Sequence, residues 1–316
     1  MIALARQVCQ ANGCTDQVAF INAMSIQAGL PEPADVIVTE TIGNLGLDEG
    51  ILGWVLDARS RFLKPGGTVI PRSIELVVSL LESPDAYRGI SGWEELPYGL
   101  IFSAARRLAA NNLHWVDIAP EALLGQPAPL GRIDLATNDG DSFSGRATMT
   151  AARSGVCHGL GAWFDATLTD SVKLSNAPPL TTPSWHQALL PLEQPLEVHT
   201  GDAIEVELRT EANGSFWQWS VQPRVAENDA RSRQRRASQS TLAGQFLSMA
   251  ELRKGAGSYV PRLTAEGKVH RYILGCMDGA KSVEDIAARV EAEFPGLFVH
   301  PRYAYDLVRK LSKAHG

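Results

Sequence analysis

The chain has 316 residues and a formal net charge of −6, a length that predicts about two domains. With 45% hydrophobic and 20% charged residues it can bury a core, which excludes wholesale disorder. The acidic balance speaks against a nucleic-acid surface, and 28 Gly with 18 Pro speak against a helical bundle.

In chain order, Ile2 to Ala11 has helical spacing at Ile2, Ala5, Val8 and Cys9, and Val18 to Ile21 is a short apolar run. Asp35 to Thr39 carries the continuous β-branched run Val36 to Thr39, as expected of a buried parallel strand. Asp48 to Leu63 carries Ile51, Leu52, Val55, Leu56 and Phe62 at helical spacing, and Pro65-Gly66-Gly67 stops that helix. Thr68 to Ile70 opens another strand, completing a βαβ unit. Ile74 to Leu81 reads as a strand and Trp93 to Leu113 as an irregular, partly helical excursion. Beyond Ala147, short strands alternate with turns. Ile204, Val206 and Leu208 alternate with Glu205, Glu207 and Arg209, and Asn213-Gly214 predicts a hairpin into Phe216 to Val221. Residues 226–240 are polar, with Arg231, Arg233, Arg235 and Arg236, and read as a solvated linker. The tail predicts three short helices, over Val269 to Met277, from Ser282 with Asp285 in a capping box, and over Tyr303 to Leu311.

No apolar run is long enough to span a membrane and no secretory signal opens the chain, so a cytoplasmic protein without membrane association is expected. The four cysteines form no CxxC, and no metal site is expected.

The loop after the β-branched strand is the first candidate site. In open α/β sheets ligands bind beyond the carboxyl ends of strands. Glu40 sits there, Glu49 opens the next helix, and Gly43, Asn44 and Gly46 between them allow a tight fold. Both carboxylates could enter one cleft. Equally, Glu49 could serve as a helix N-terminal charge and Glu40 as a solvated strand end.

Asp35 to Glu40, the Glu40–Glu49 spacing, Arg61 to Gly67 and Ile70-Pro71 resemble the protein arginine methyltransferases, whose double-glutamate loop follows such a strand. Downstream, Trp93 to Gly99 resembles that family's dimerisation arm, and Cys157 to Phe164 the first strand of its β-barrel. Ser175 to Pro178 with Trp185 to Gln187 resembles the segment bearing its Thr-His-Trp motif, and Leu196 to Gly201 the following strand and turn. The resemblance runs in order over residues 1 to 222. It implies S-adenosylmethionine as cofactor, arginine of a protein or peptide as acceptor, and a homodimer. Glu40 and Glu49 would clamp the guanidinium, since carboxylates bind its fork of donors bidentately. The Thr-His-Trp position reads Pro183-Ser184-Trp185 here, so Ser184 and Trp185 stand at the site while His186 reads as a surface histidine. On the cofactor side only the segment at Ser25 and Ile26 corresponds, with Ile26 where an acidic residue is usual. The Gly-rich loop has no counterpart in residues 1–316. The alternatives implied are a non-catalytic binder of a peptide or partner, and a truncated fragment of an active methyltransferase.

Asp278 to Ala287 and Glu293 to Gly296 resemble PqqD-like winged-helix domains, which implies a leader peptide as a further partner, held as an added strand. The expected architecture is α/β plus all-β. A partial Rossmann-like domain (1–72) precedes an antiparallel β-barrel (73–222), a linker (223–250) and a small helical, winged-helix-like domain (251–316).

Overall fold

The computed structural model describes residues 1–94, 97–179, 184–224, 236–246 and 248–316. Its elements are α1 (Ile2–Ala11), β1 (Ala34–Val38), α2 (Ile51–Phe62), β2 (Leu63–Ile70), β3 (Ser73–Leu81), α3 (Pro84–Ser91), α4 (Ser103–Ala110), β4 (His114–Val116), β5 (Ala128–Asp134), β6 (Phe143–Thr150), β7 (Gly155–Thr167), β8 (Lys173–Ser175), β9 (Gln187–Val198), β10 (Ala203–Glu211), β11 (Phe216–Arg224) and β12 (Ala237–Ser240). The helices α5 (Met249–Lys254), α6 (Ala265–Cys276), α7 (Val283–Glu293) and α8 (Pro301–His315) follow. The chain divides into two compact units, Met1–Phe246 and Leu247–Gly316. Among the described residues, no helix is long and apolar enough to cross a membrane.

In the first unit β1 and β2 pair in parallel around α2, the expected βαβ arrangement. The expectation of a buried β1 is corrected, because Val36 is 48% and Val38 72% exposed. A parallel strand is buried only when sheet and helices cover it, and β2 is the one strand paired with β1 among the described residues. The Val18 to Ile21 run forms no strand. α2 ends at Phe62 and Leu63 already belongs to β2, so Pro65-Gly66-Gly67 lies within the strand.

The expected barrel is also corrected. Among the described residues the strands do not close. They form a four-stranded sheet, β12-β11-β10-β6, and a larger one, β4-β9-β7-β3-β5 with β8 on β7. Ile204, Val206 and Leu208 turn inward from β10, as their alternation predicts. β7 lies between β3 and β9, so it is buried along most of its length instead of alternating. The Trp219 indole N–H donates across from the smaller sheet to the Pro191 carbonyl at 2.7 Å. Leu45, Leu47, Ile51 and Leu52 share one core with Ile74, Leu76, Phe164 and Trp219. The α/β piece and the β domain are thus one body in packing, whereas the sequence suggests a boundary at residue 72.

The hairpin expected at Asn213-Gly214 is present, with Asn213 and Gly214 both at positive φ. The linker expected over 223–250 is in part sheet, because β11 runs to Arg224 and β12 pairs with it. Arg231, Arg233 and Arg235 lie outside the described residues. The Trp93 to Leu113 excursion is flanked by α3 and contains α4, and residues 95–96 of it also lie outside the described set.

The second unit is helical. Val269, Ile273, Ile286, Val290, Val308 and Leu311 form its core. Ser282 and Asp285 make the predicted capping box at the start of α7. Among its described residues there is no strand, so the wing of a winged helix has no counterpart here.

Candidate active site

The loop from Thr39 to Gly50 is held from inside. Asp48 folds its carboxylate back to accept from the backbone N–H of Leu45 at 2.7 Å and of Asn44 at 3.2 Å. Burial pushes the Asp48 carboxyl above its ordinary pKa, against the pull of those N–H donors and with Glu49 nearby adding to the rise. Gly43 has φ +69, and a Cβ there would meet an Asp48 oxygen at 2.4 Å. Gly46 has φ +77, and a Cβ would lie 2.9 Å from that of Phe164. Glycine at 46 therefore lets the loop reach the β domain, where Leu45 and Leu47 are fully buried.

Glu40 and Glu49 stand at the two ends of this anchored loop, and both are exposed. Neither makes a side-chain hydrogen bond or ion pair among the described residues. The Glu49 carbonyl accepts from the Trp54 indole at 3.1 Å, which fixes the backbone and leaves the carboxylate to solvent. Two unpaired carboxylates on a rigid frame suit a cationic ligand.

A second segment is tied to the same loop. Asn176 is completely buried. Its amide donates to the Asn44 carbonyl at 2.8 Å and the His186 carbonyl at 2.7 Å, and its side-chain oxygen accepts from Phe164 N–H at 2.9 Å. The His186 N–H in turn donates to the Asn44 side-chain oxygen at 2.8 Å. Residues more than 130 positions apart in sequence are thus joined by hydrogen bonds. His186 is exposed, as its surface reading implies, but its Nδ1 lies 2.6 Å from Asp117 Oδ1. Trp185 packs edge-on against Phe164, with ring centroids 6.1 Å apart, so it supports the core. Ser184 is exposed, and Pro183 lies outside the described residues.

Ser25 and Ile26 form a 3-10 turn. Arg61 fastens it to α2, donating to the Ser25 carbonyl at 2.8 Å and the Ala28 carbonyl at 2.9 Å. Ile26 is 53% exposed. The structure therefore ties loop 40–49 to segment 184–186 and fixes the turn at 25–26 on α2. Sequence reasoning missed Asn44, Asp48, Asp117 and Asn176. Their one signal was polar side chains beside strand ends, which is common on any surface.

Residues 74–219 match the family model described as the arginine methyltransferase oligomerization subdomain. The chain is similar to protein arginine methyltransferases over part of its length. Its relatives include a probable protein arginine N-methyltransferase 6 of Arabidopsis thaliana, 28% identical over 69% of this chain and 53% of that protein. Another is an arginine N(omega)-methyltransferase of Streptomyces achromogenes, 28% identical over 65% of this chain and 58% of that protein. The chain thus spans a little over half the length of these relatives. The fold is shared with the Trypanosoma brucei PRMT1 enzyme–prozyme heterotetrameric complex with AdoHcy. That likeness has a TM-score of 0.67 and 22% identity, covering 76% of this chain and 77% of that one.

Proposed function

We propose that this protein is a homologue of S-adenosylmethionine-dependent methyltransferases that N-methylates arginine in a protein or peptide. The observation that carries this is the pair of exposed, unpaired carboxylates, Glu40 and Glu49, on a loop rigidly joined to the 184–186 segment. The two would grip the guanidinium by bidentate hydrogen bonds and hold its charge away from the nitrogen that reacts. Trp185 would back this wall through Phe164, and Ser184 would stand at its rim.

The cofactor fits these residues only in part. S-adenosylmethionine would supply an electrophilic methyl group. Ser25 and Ile26 could form one wall for it, but residues 1–316 hold no G-x-G-x-x-G loop. Calorimetric titration of the whole chain with S-adenosylmethionine tests the reading. Saturable heat supports it, and no heat at about millimolar ligand favours a second reading, a non-catalytic binder of peptides or partners. Exposed Val36 and Val38 on β1 favour that second reading, since an apolar parallel strand suits a protein contact.

The homodimer is proposed on the exposed Trp93, Tyr98, Leu100 and Ile101 of the arm segment. The protein is proposed to act in the cytoplasm. The tail is proposed, by its resemblance to PqqD-like domains, to hold a leader peptide. Exposed Leu297, Val299 and Tyr303 are the apolar residues such a peptide would cover.

A further inference from the structure

On the outer face of the four-stranded sheet, Glu207 of β10 is ringed by three arginines. The Glu207 side chain is only 8% exposed. Its Oε1 accepts from Arg146 at 3.0 Å and from Arg209 Nε at 2.5 Å, and its Oε2 accepts from Arg236 at 2.6 Å. Arg236 also donates to the Ser220 hydroxyl at 2.9 Å. The strand register produces this cluster. Glu207 lies opposite Arg146 on β6 and Ser220 on β11, and Arg209 follows two residues along β10 on the same face.

The charges do not balance. Among the described residues one carboxylate meets three guanidinium groups, and with Glu211 two residues beyond Arg209 on the same face the cluster still keeps net positive charge, in a chain whose net charge is −6. Burial would push Glu207 up, but hydrogen bonds from Arg146 and Arg209 hold it below the ordinary glutamate range, so it stays ionised. Among the described residues, Arg224 on this face pairs with Glu205 at 3.0 Å. Arg146, Arg209 and Arg236 are each about half exposed and, among the described residues, keep N–H donors free.

The cluster is concave. It lines a cavity of about 200 Å³ with Gln218 and Ser220. A second hollow of about 240 Å³ shares Arg209 and Gln218 with it and is walled by Phe216, Trp217 and Leu242, with Glu211 also on its lining. A cationic seat adjoins an apolar, aromatic one. Guanidinium forks match phosphate oxygens bidentately, and a phosphate monoester carries nearly two negative charges near neutral pH.

We propose that this face binds a phosphorylated small molecule, its phosphate seated on Arg146, Arg209 and Arg236 and its apolar or aromatic body against Phe216, Trp217 and Leu242. The proposal is independent of any activity at Glu40 and Glu49.

The test titrates the whole chain at constant ionic strength with inorganic phosphate and, separately, with adenosine 5′-monophosphate. Both should bind saturably, the nucleotide about tenfold tighter because it also fills the hollow. Arg146→Gln and Arg236→Gln should each weaken both ligands about tenfold, and Arg88→Gln on α3 should change neither. Hydrogen exchange of the unaltered protein, which needs no variant to fold, should show phosphate protection within residues 144–148, 205–209 and 218–222. No saturable phosphate binding up to about 20 mM, or protection confined to other strands, overturns the site. A nucleotide that binds no tighter than phosphate overturns the role of the hollow.

Discussion

Asn176 is the residue on which the arrangement of the candidate site most depends. Replacing it with Ala removes three side-chain hydrogen bonds, a buried one from the Phe164 N–H and two part-buried ones to the Asn44 and His186 carbonyls. Asn176 is fully buried, so bulk solvent does not reach its place to replace them. Each orphaned group costs about 1–3 kcal/mol, and partial relaxation keeps the sum to about 3–5 kcal/mol. For a unit of this size, that is a fall in melting temperature of about 6–20 °C. Urea unfolding gives the free energy. Hydrogen exchange gives the location, and Asn176→Ala should raise exchange in residues 40–49 and 184–187 more than in β10 and β11. A loss below about 1 kcal/mol, with unchanged exchange at 40–49, would refute the claim that Asn176 ties the two segments together.

Gly46→Ala forces a Cβ into contact with Phe164, Ile74 and Leu76 at positive φ, and should cost about 2–4 kcal/mol by urea unfolding. Glu82 is held below the ordinary glutamate pKa chiefly by its hydrogen bond from Arg153, with a second from Val156 N–H at 2.8 Å. A carboxyl lowered in the folded state adds stability above its unfolded pKa of about 4.3 and loses it as pH falls through the folded value. Glu82→Gln should therefore lose stability at about pH 6, and its deficit against the unaltered protein should shrink as pH falls below about 4, as urea midpoints measured across that range will show. Ser282→Ala breaks the capping box of α7 and should lower the stability of the helical unit by about 1 kcal/mol, read by circular dichroism during thermal unfolding.

Local features were legible in the sequence because their causes are local. The Asn213-Gly214 turn, the alternation in β10 and the Ser282 cap each depend on a few neighbouring residues. Burial of β1 was not legible, because its β-branched run states a preference for being covered and not what covers it. The ends of the candidate site, Glu40 and Glu49, stood out through their spacing and the resemblance they carry. What joins them to residues 184–186 did not. Asn44 and Asn176 look like ordinary turn residues, and only the fold brings them within hydrogen-bonding distance across 132 positions. The ring of arginines around Glu207 was hidden for the same reason, since Arg146, Arg209 and Arg236 come from three different strands or strand ends.

The central claim is that Glu40 and Glu49 grip the arginine acceptor. The most direct measurement is methyl incorporation from labelled S-adenosylmethionine into an arginine-rich peptide by the unaltered chain, by Glu40→Gln and by Glu49→Gln. The account predicts incorporation by the unaltered chain and a loss of about a hundredfold or more in each variant, the scale of removing one preorganised charged contact. Incorporation unchanged in both variants, or none by the unaltered chain, would contradict it.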